Sequence, residues 1–94
     1  MVDGRWQALL GLLAQESSEA GLDTLLRLLL SHDERQSVAG RLEVFKALLA
    51  GDRSQRQISA DLGISIATIT RASNTLKTLN SAERERLSVA LGLS

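Results

Sequence analysis

The sequence predicts an all-α fold of about six helices, read from apolar periodicity and from helix start and stop signals. Three observations carry that prediction. Of the 94 residues 44% are hydrophobic yet only 2% are aromatic, a balance that favours helices built on Leu and Ala over sheet. Proline is absent throughout. Apolar residues recur at three- and four-residue spacing between short polar segments that contain Ser, Gly and Asp.

The first helix carries Trp6, Leu9, Leu10 and Leu13 at helical spacing, and "QESSEAG", Gln15 to Gly21, supplies the break. The second, "LDTLLRLLL", is apolar almost all round, with Asp23 and Arg27 as its charged interruptions. A helix of that kind must be buried on more than one side. "SHDE", Ser31 to Glu34, then reads as a capping box: the Ser hydroxyl accepts from the backbone three residues on while Glu34 reaches back. It should open a long helix from about His32 to Ala50, ended by Gly51. Val38, Leu42, Phe45 and Leu49 line one face of that helix, and Val44, Ala47 and Leu48 give it a second. "SQRQ", Ser54 to Gln57, repeats the capping pattern and opens a short helix that Gly63 should end. Ser65 is the N-cap of the next helix, closed between Asn74 and Asn80, and Asn80 with Glu83 starts a last helix carrying Leu87, Ala90 and Leu91.

These elements are expected to form a single helical domain over residues 1–94, with dimerisation helices at about 5–50, a helix-turn-helix at about 54–77 and a C-terminal helix at about 81–92. Helices with two apolar faces call for a partner, and the simplest partner is a second copy. The expectation is an intertwined homodimer sharing much of the stretch from Trp6 to Leu49; the alternative is a compact monomer that packs both faces internally. Only five residues precede Trp6, so no basic arm is expected there.

Zero Cys excludes a disulfide scaffold and thiolate chemistry. Arg5 followed by the apolar run Ala8 to Ala14 has the outline of a secretory signal, but Asp3 precedes it and Gln15 and Glu16 close it. No run approaches the roughly 18 apolar residues of a membrane span. The expected location is the cytoplasm. His32, Asp33 and Glu34 are adjacent, and adjacent residues on a helix point in different directions, so neither a metal site nor an enzyme is expected; a first-turn acidic cap accounts for the carboxylates.

Net charge is zero, with a pI near 6.6, but it is unevenly placed. Between Arg53 and Lys77 four cations face the single anion Asp61, a net +3 that leaves −3 for the rest. A basic face on an acidic body suits contact with a few DNA phosphates. In that stretch Ile58, Leu62, Ile64, Ile66, Ile69 and Ala72 have the spacing of two short helices meeting across a tight turn at Gly63, where a left-handed conformation is least costly. Ser65, Ala67, Thr68, Thr70 and Arg71 then point outward, a surface of mostly short side chains that can enter a major groove closely. The alternative is an αα-corner with a polar surface.

The stretch from Ser31 to Lys77 resembles the bacterial Trp repressor family, most tellingly in "IATITRASN", Ile66 to Asn74, with "DER" at 33–35, "GR" at 40–41 and "SQR" at 54–56 in support. The resemblance implies an intertwined helical dimer that reads a palindromic operator when L-tryptophan is bound as corepressor, with no other cofactor. Trp repressor is among the helix-turn-helix proteins whose second helix enters the major groove, with base contacts made largely through water. Matched motif by motif, Arg41 and Arg71 would sandwich the indole, as planar guanidinium groups stack on aromatic faces. Leu28, Leu30 and Ser31 would close the pocket from the other subunit and offer acceptors to the ligand ammonium. Thr68, Ala72 and Thr75 would line it from the recognition helix. For DNA the match assigns Gln55, Arg56, Ile66, Ala67, Thr68 and Thr70 to the operator face, with Ser65, Ser73 and Lys77 as neighbours. A protein of the same superfamily that takes another ligand, or none, is the alternative.

Two departures stand out. The family commonly reads "TRGSN" where this chain has Ala72, and a methyl against the indole would either repack the pocket or cost about 1 to 3 kcal/mol by overpacking. Ser59 stands where the family often has Lys, which predicts one fewer phosphate contact per subunit, with Arg53 as a substitute.

Overall fold

The computed structural model describes residues 4–93; Asp3 lies outside them. Six helices follow one another: α1 (Gly4–Gln15), α2 (Glu19–Leu29), α3 (His32–Ala50), α4 (Gln55–Leu62), α5 (Ile66–Lys77) and α6 (Ser81–Ala90). The described residues group into two compact units that divide within α3, between Gln36 and Ser37.

In the first unit the helix starts are set by local polar groups. The Ser18 hydroxyl caps α2 by accepting from the Gly21 amide at 3.0 Å. The two charges that interrupt α2 pair with each other: Arg27 Nε donates to both oxygens of Asp23 at 2.9 Å, one turn apart on the solvent face. The expected capping box at the start of α3 is present in both directions, with Ser31 N donating to Glu34 Oε1 at 2.8 Å and Glu34 N to Ser31 Oγ at 3.1 Å. These bonds hold the Glu34 carboxyl below its ordinary pKa, the Ser31 amide contributing most and the Ser31 hydroxyl next. Apolar burial contributes little here, because neither α1 nor α2 holds a buried residue.

The second unit has a core. Val44, Ala47, Ile58, Ile69 and Ala72 form one buried cluster, with Phe45, Leu48, Leu62 and Ile64 packed against it, and Leu76 is buried as well. Of the two apolar faces expected on α3, the one carrying Val44, Ala47 and Leu48 is therefore covered by the chain itself. The other is split: Phe45 packs against the same cluster and Leu49 is partly covered, while Val38 and Leu42 remain 50% and 46% exposed.

Ser54, Ser65 and Asn80 cap α4, α5 and α6 as the sequence predicts, and Asn80 with Glu83 completes a reciprocal box. Arg84 of α6 donates from Nη1 to the Leu76 carbonyl at 3.0 Å, satisfying an acceptor in the last turn of α5. The last helix ends at Ala90, short of the expected 92, because Gly92 takes a left-handed φ of 75°. Among the described residues no helix is long and apolar enough to cross a membrane.

Candidate nucleic-acid interface

α4 and α5 are joined by a turn whose shape depends on Gly63, at φ 67° and ψ 31°. A side chain there would be strained by backbone conformation alone. The Gly63 amide donates to the Ser59 carbonyl at 2.9 Å and ends α4, and Ser65 restarts the chain as a helix by accepting from the Thr68 amide at 3.2 Å. Across the turn Ile58 and Ile69, both fully buried, anchor one helix to the other.

With Ile69, Ala72 and Leu76 facing inward, α5 turns Ile66, Ala67, Thr70 and Arg71 to solvent. Thr68 is half-buried. Ser65, Ala67, Thr70 and Arg71 are exposed as their spacing predicts, whereas Ile66, read from spacing as a packing position, is 45% exposed and Thr68 is partly covered; the groups of this face are ordered by one another. Thr70 Oγ1 donates to Gln55 Oε1 at 3.2 Å, which ties together, across the two helices, two of the residues expected on the operator face. Arg71 Nη2 donates to Thr68 Oγ1 at 3.3 Å, and that hydroxyl lies 2.9 Å from the Ser65 hydroxyl. Thr75 Oγ1 donates to the Arg71 carbonyl at 3.0 Å.

The remaining residues named from the sequence fall as follows. Arg56 and Lys77 are exposed, and among the described residues neither has a salt bridge. A cation in the first turn of a helix, as Arg56 is in α4, opposes the helix dipole, so helix stability does not account for it. Arg41 is exposed on α3 with Ser37 Oγ 3.5 Å from its Nη2. Leu28, Leu30 and Ser31 belong to the first unit; Leu28 is 80% exposed. The Ser31 hydroxyl serves the α3 cap, and the Leu30 carbonyl accepts from Arg35 Nη1 at 2.8 Å, leaving it a second lone pair.

Three features differ from the sequence expectation. Ala72, named as a pocket wall, is 5% exposed and its side chain belongs to the buried cluster with Val44 and Ile69. Arg53, the expected substitute for a missing lysine, is committed elsewhere: its Nη1 donates to Asp61 Oδ2 at 2.9 Å and its Nε lies 3.7 Å from Asp52. The Asp61 hydrogen bond raises its pKa further above the usual arginine value. The local positive charge available to a phosphate is correspondingly carried by Arg56, Arg71 and Lys77. Ser59, read from sequence as an absent cation, donates from Oγ to the Ile64 carbonyl at 2.6 Å. No pattern in the sequence marks that bond, because it depends on the path of the turn. Among the described residues no group of three or more His, Asp or Glu converges on a point where a metal ion would sit.

Residues 4–90 match the family model described as Trp repressor protein. The chain is also similar to proteins named Trp operon repressor homolog. That of Vibrio parahaemolyticus is 42% identical over 86 residues, covering 92% of this chain and 84% of the relative. That of Photobacterium profundum is 43% identical over the same length and coverage. That of Chlamydia trachomatis serovar D is 45% identical over 82 residues, 87% of each chain.

Proposed function

The chain belongs to the Trp repressor family, whose members are DNA-binding transcriptional regulators rather than enzymes, and from that premise we propose that it works as a homodimer that binds a palindromic operator under control of L-tryptophan. The observation that carries the proposal is the division of α5 into a buried edge of Ile69, Ala72 and Leu76 and an exposed edge of Ile66, Ala67, Thr70 and Arg71. A recognition helix needs both, one to hold its angle and one to approach base edges. In this reading Ile66 and Ala67 meet thymine methyls, Thr70 reaches a phosphate or a bound water, and Arg56 bonds a guanine or a phosphate.

Support for a dimer comes from the apolar residues that one chain leaves uncovered, Val38 and Leu42 on α3 together with Trp6 and Leu10 on α1. Large apolar side chains left exposed in this way, in each of the two units, suit burial against a second copy. Two such chains place two recognition helices about one DNA turn, roughly 34 Å, apart.

For the ligand, Arg71 and Arg41 are the cations that stack on the indole, with Thr68 and Thr75 beside Arg71. Leu28, Leu30 and Ser31 come from the other subunit. The Ala72 methyl faces the core rather than the edge that carries Arg71, so the change from Gly does not by itself crowd an indole there. Tryptophan then acts by population shift, binding best to the arrangement in which both α5 helices fit successive major grooves. A soluble regulator of this kind works in the cytoplasm.

Isothermal titration with L-tryptophan, beside indole and a non-aromatic amino acid, tests the switch. One site per chain in the micromolar range, with the non-aromatic amino acid silent, is the expected result. Absence of heat with all three would leave a constitutive DNA binder or a different ligand.

A further inference from the structure

Ile64 sits between the left-handed Gly63 and the cap Ser65, so its carbonyl belongs to neither helix ladder. In a continuous helix it would accept from the Thr68 amide, but that amide donates to Ser65 Oγ. Ser59 takes the place of the missing donor: its half-buried hydroxyl donates to Ile64 O at 2.6 Å. The Ser59 carbonyl in turn accepts from the amides of Gly63, at 2.9 Å, and Ile64, at 3.3 Å. One residue in α4 thus closes the turn with three bonds and holds Ile64 at both its amide and its carbonyl. The Ile64 side chain is held too, packed against the buried cluster, with its Cδ1 3.4 Å from where a β-carbon on Gly40 would stand. Ser65 and α5 follow directly, so the direction in which α5 leaves the turn is set at Ile64.

We propose that Ser59 is a positioning residue for DNA reading: through Ile64, its hydroxyl fixes the angle between α4 and α5. The proposed operator face spans both helices, from Gln55 on α4 to Thr70 on α5, so a change in that angle moves one half of the face against the other. Base-edge contacts in the groove require that alignment, whereas phosphate contacts by flexible Arg and Lys side chains tolerate its loss. A lysine at position 59 would add a cation and leave the Ile64 carbonyl without this donor. Serine therefore exchanges a general phosphate contact for a fixed turn. This role rests on the operator reading above.

The test uses the full chain as wild type, Ser59→Ala, Ser59→Thr and Ser59→Lys. The probes, all used with saturating L-tryptophan, are a palindromic duplex enriched by the wild type from a randomised pool and a scrambled duplex of equal length. Ser59→Ala should speed amide exchange at Gly63 and Ile64 and weaken binding to the enriched duplex by about fivefold to twentyfold, the effect of losing one half-buried hydrogen bond. Its affinity for the scrambled duplex should hold. Ser59→Thr, which keeps the hydroxyl, should restore both readouts, and Ser59→Lys should tighten binding to the scrambled duplex while lowering the ratio between the two. Unchanged exchange in Ser59→Ala, equal loss on both duplexes, or failure of Ser59→Thr to rescue would overturn the role. A wild type that enriches no duplex would remove the operator reading and this role together; a wild type that enriches one while Ser59→Ala matches it removes the role alone.

Discussion

α1 and α2 hold no buried residue, and Trp6 on α1 is 58% exposed, while α4 and α5 close completely over Ile58 and Ile69. Both pairs of helices have clear apolar periodicity. The difference lies in who covers the apolar face. In the helix-turn-helix the neighbours are supplied by the same chain, from α3 and from the partner helix of the motif. In α1 and α2 the apolar side chains, each worth about 1.5 to 3 kcal/mol when fully buried, find no such cover within one chain. Periodicity therefore identifies a face that must be buried without identifying the molecule that buries it, and in the proposed dimer the second copy does so.

The sharpest way to break this contrast is Leu10→Asp. In a monomer a change at this exposed site is nearly neutral. In the proposed dimer a charge in the shared core should raise the dimer dissociation constant at least about a thousandfold, and sedimentation velocity at micromolar concentration should show single chains. An unchanged mass of two chains would place Leu10 outside the interface. Next in size, Ile69→Ala attacks the self-sufficient core and should lower unfolding free energy by about 2 to 5 kcal/mol in urea. A loss under about 1 kcal/mol would mean that the cavity collapses and that the core is less tightly packed than full burial of Ile69 indicates.

What could be read from the sequence follows the same division. Caps are local: Ser31, Ser54, Ser65 and Asn80 each act on an amide three residues away, so their spacing alone announces them. Gly63 is local as well. The spacing of Ala72 after Ile69 places it among the packing positions, where it is found, and only the resemblance sets it on a pocket wall. The Ser59 bond across the turn and the Arg53–Asp61 pair that removes a cation from the expected basic face depend instead on how α4 and the turn are set against their surroundings. One hydroxyl or one carboxylate in a string of letters carries no sign of that geometry. The family resemblance names Arg41 and Arg71, but it names them as a matched pattern, and their joint action on a ligand belongs to the proposed dimer.

Arg71→Ala separates the two regions by function. It should weaken tryptophan binding by about tenfold to a hundredfold, the usual effect of losing a charged hydrogen-bonding group, and leave the two-chain mass unchanged, since Arg71 is exposed on the self-contained unit. Loss of the dimer in that variant would mean that the recognition face and the dimer face are not separate.

The smallest effect concerns the start of α3. Because the Ser31 amide and hydroxyl lower the Glu34 pKa, the stabilisation they give is complete above the ordinary value of 4.5 and is lost as pH falls through the lower folded value. A carboxyl-detected NMR titration should place the Glu34 midpoint below 4.5, and Ser31→Ala should move it upward. A midpoint at or above 4.5 in the wild type would show that the capping box is not maintained in solution.

The central claim, that two chains read one operator under the control of tryptophan, is tested most directly by fluorescence anisotropy of the enriched palindromic duplex with and without saturating L-tryptophan. The account predicts two chains per duplex and affinity at least about tenfold higher with tryptophan, a coupling of roughly 1.4 kcal/mol. Equal affinity in the two conditions would contradict it and leave a DNA-binding dimer whose control lies elsewhere.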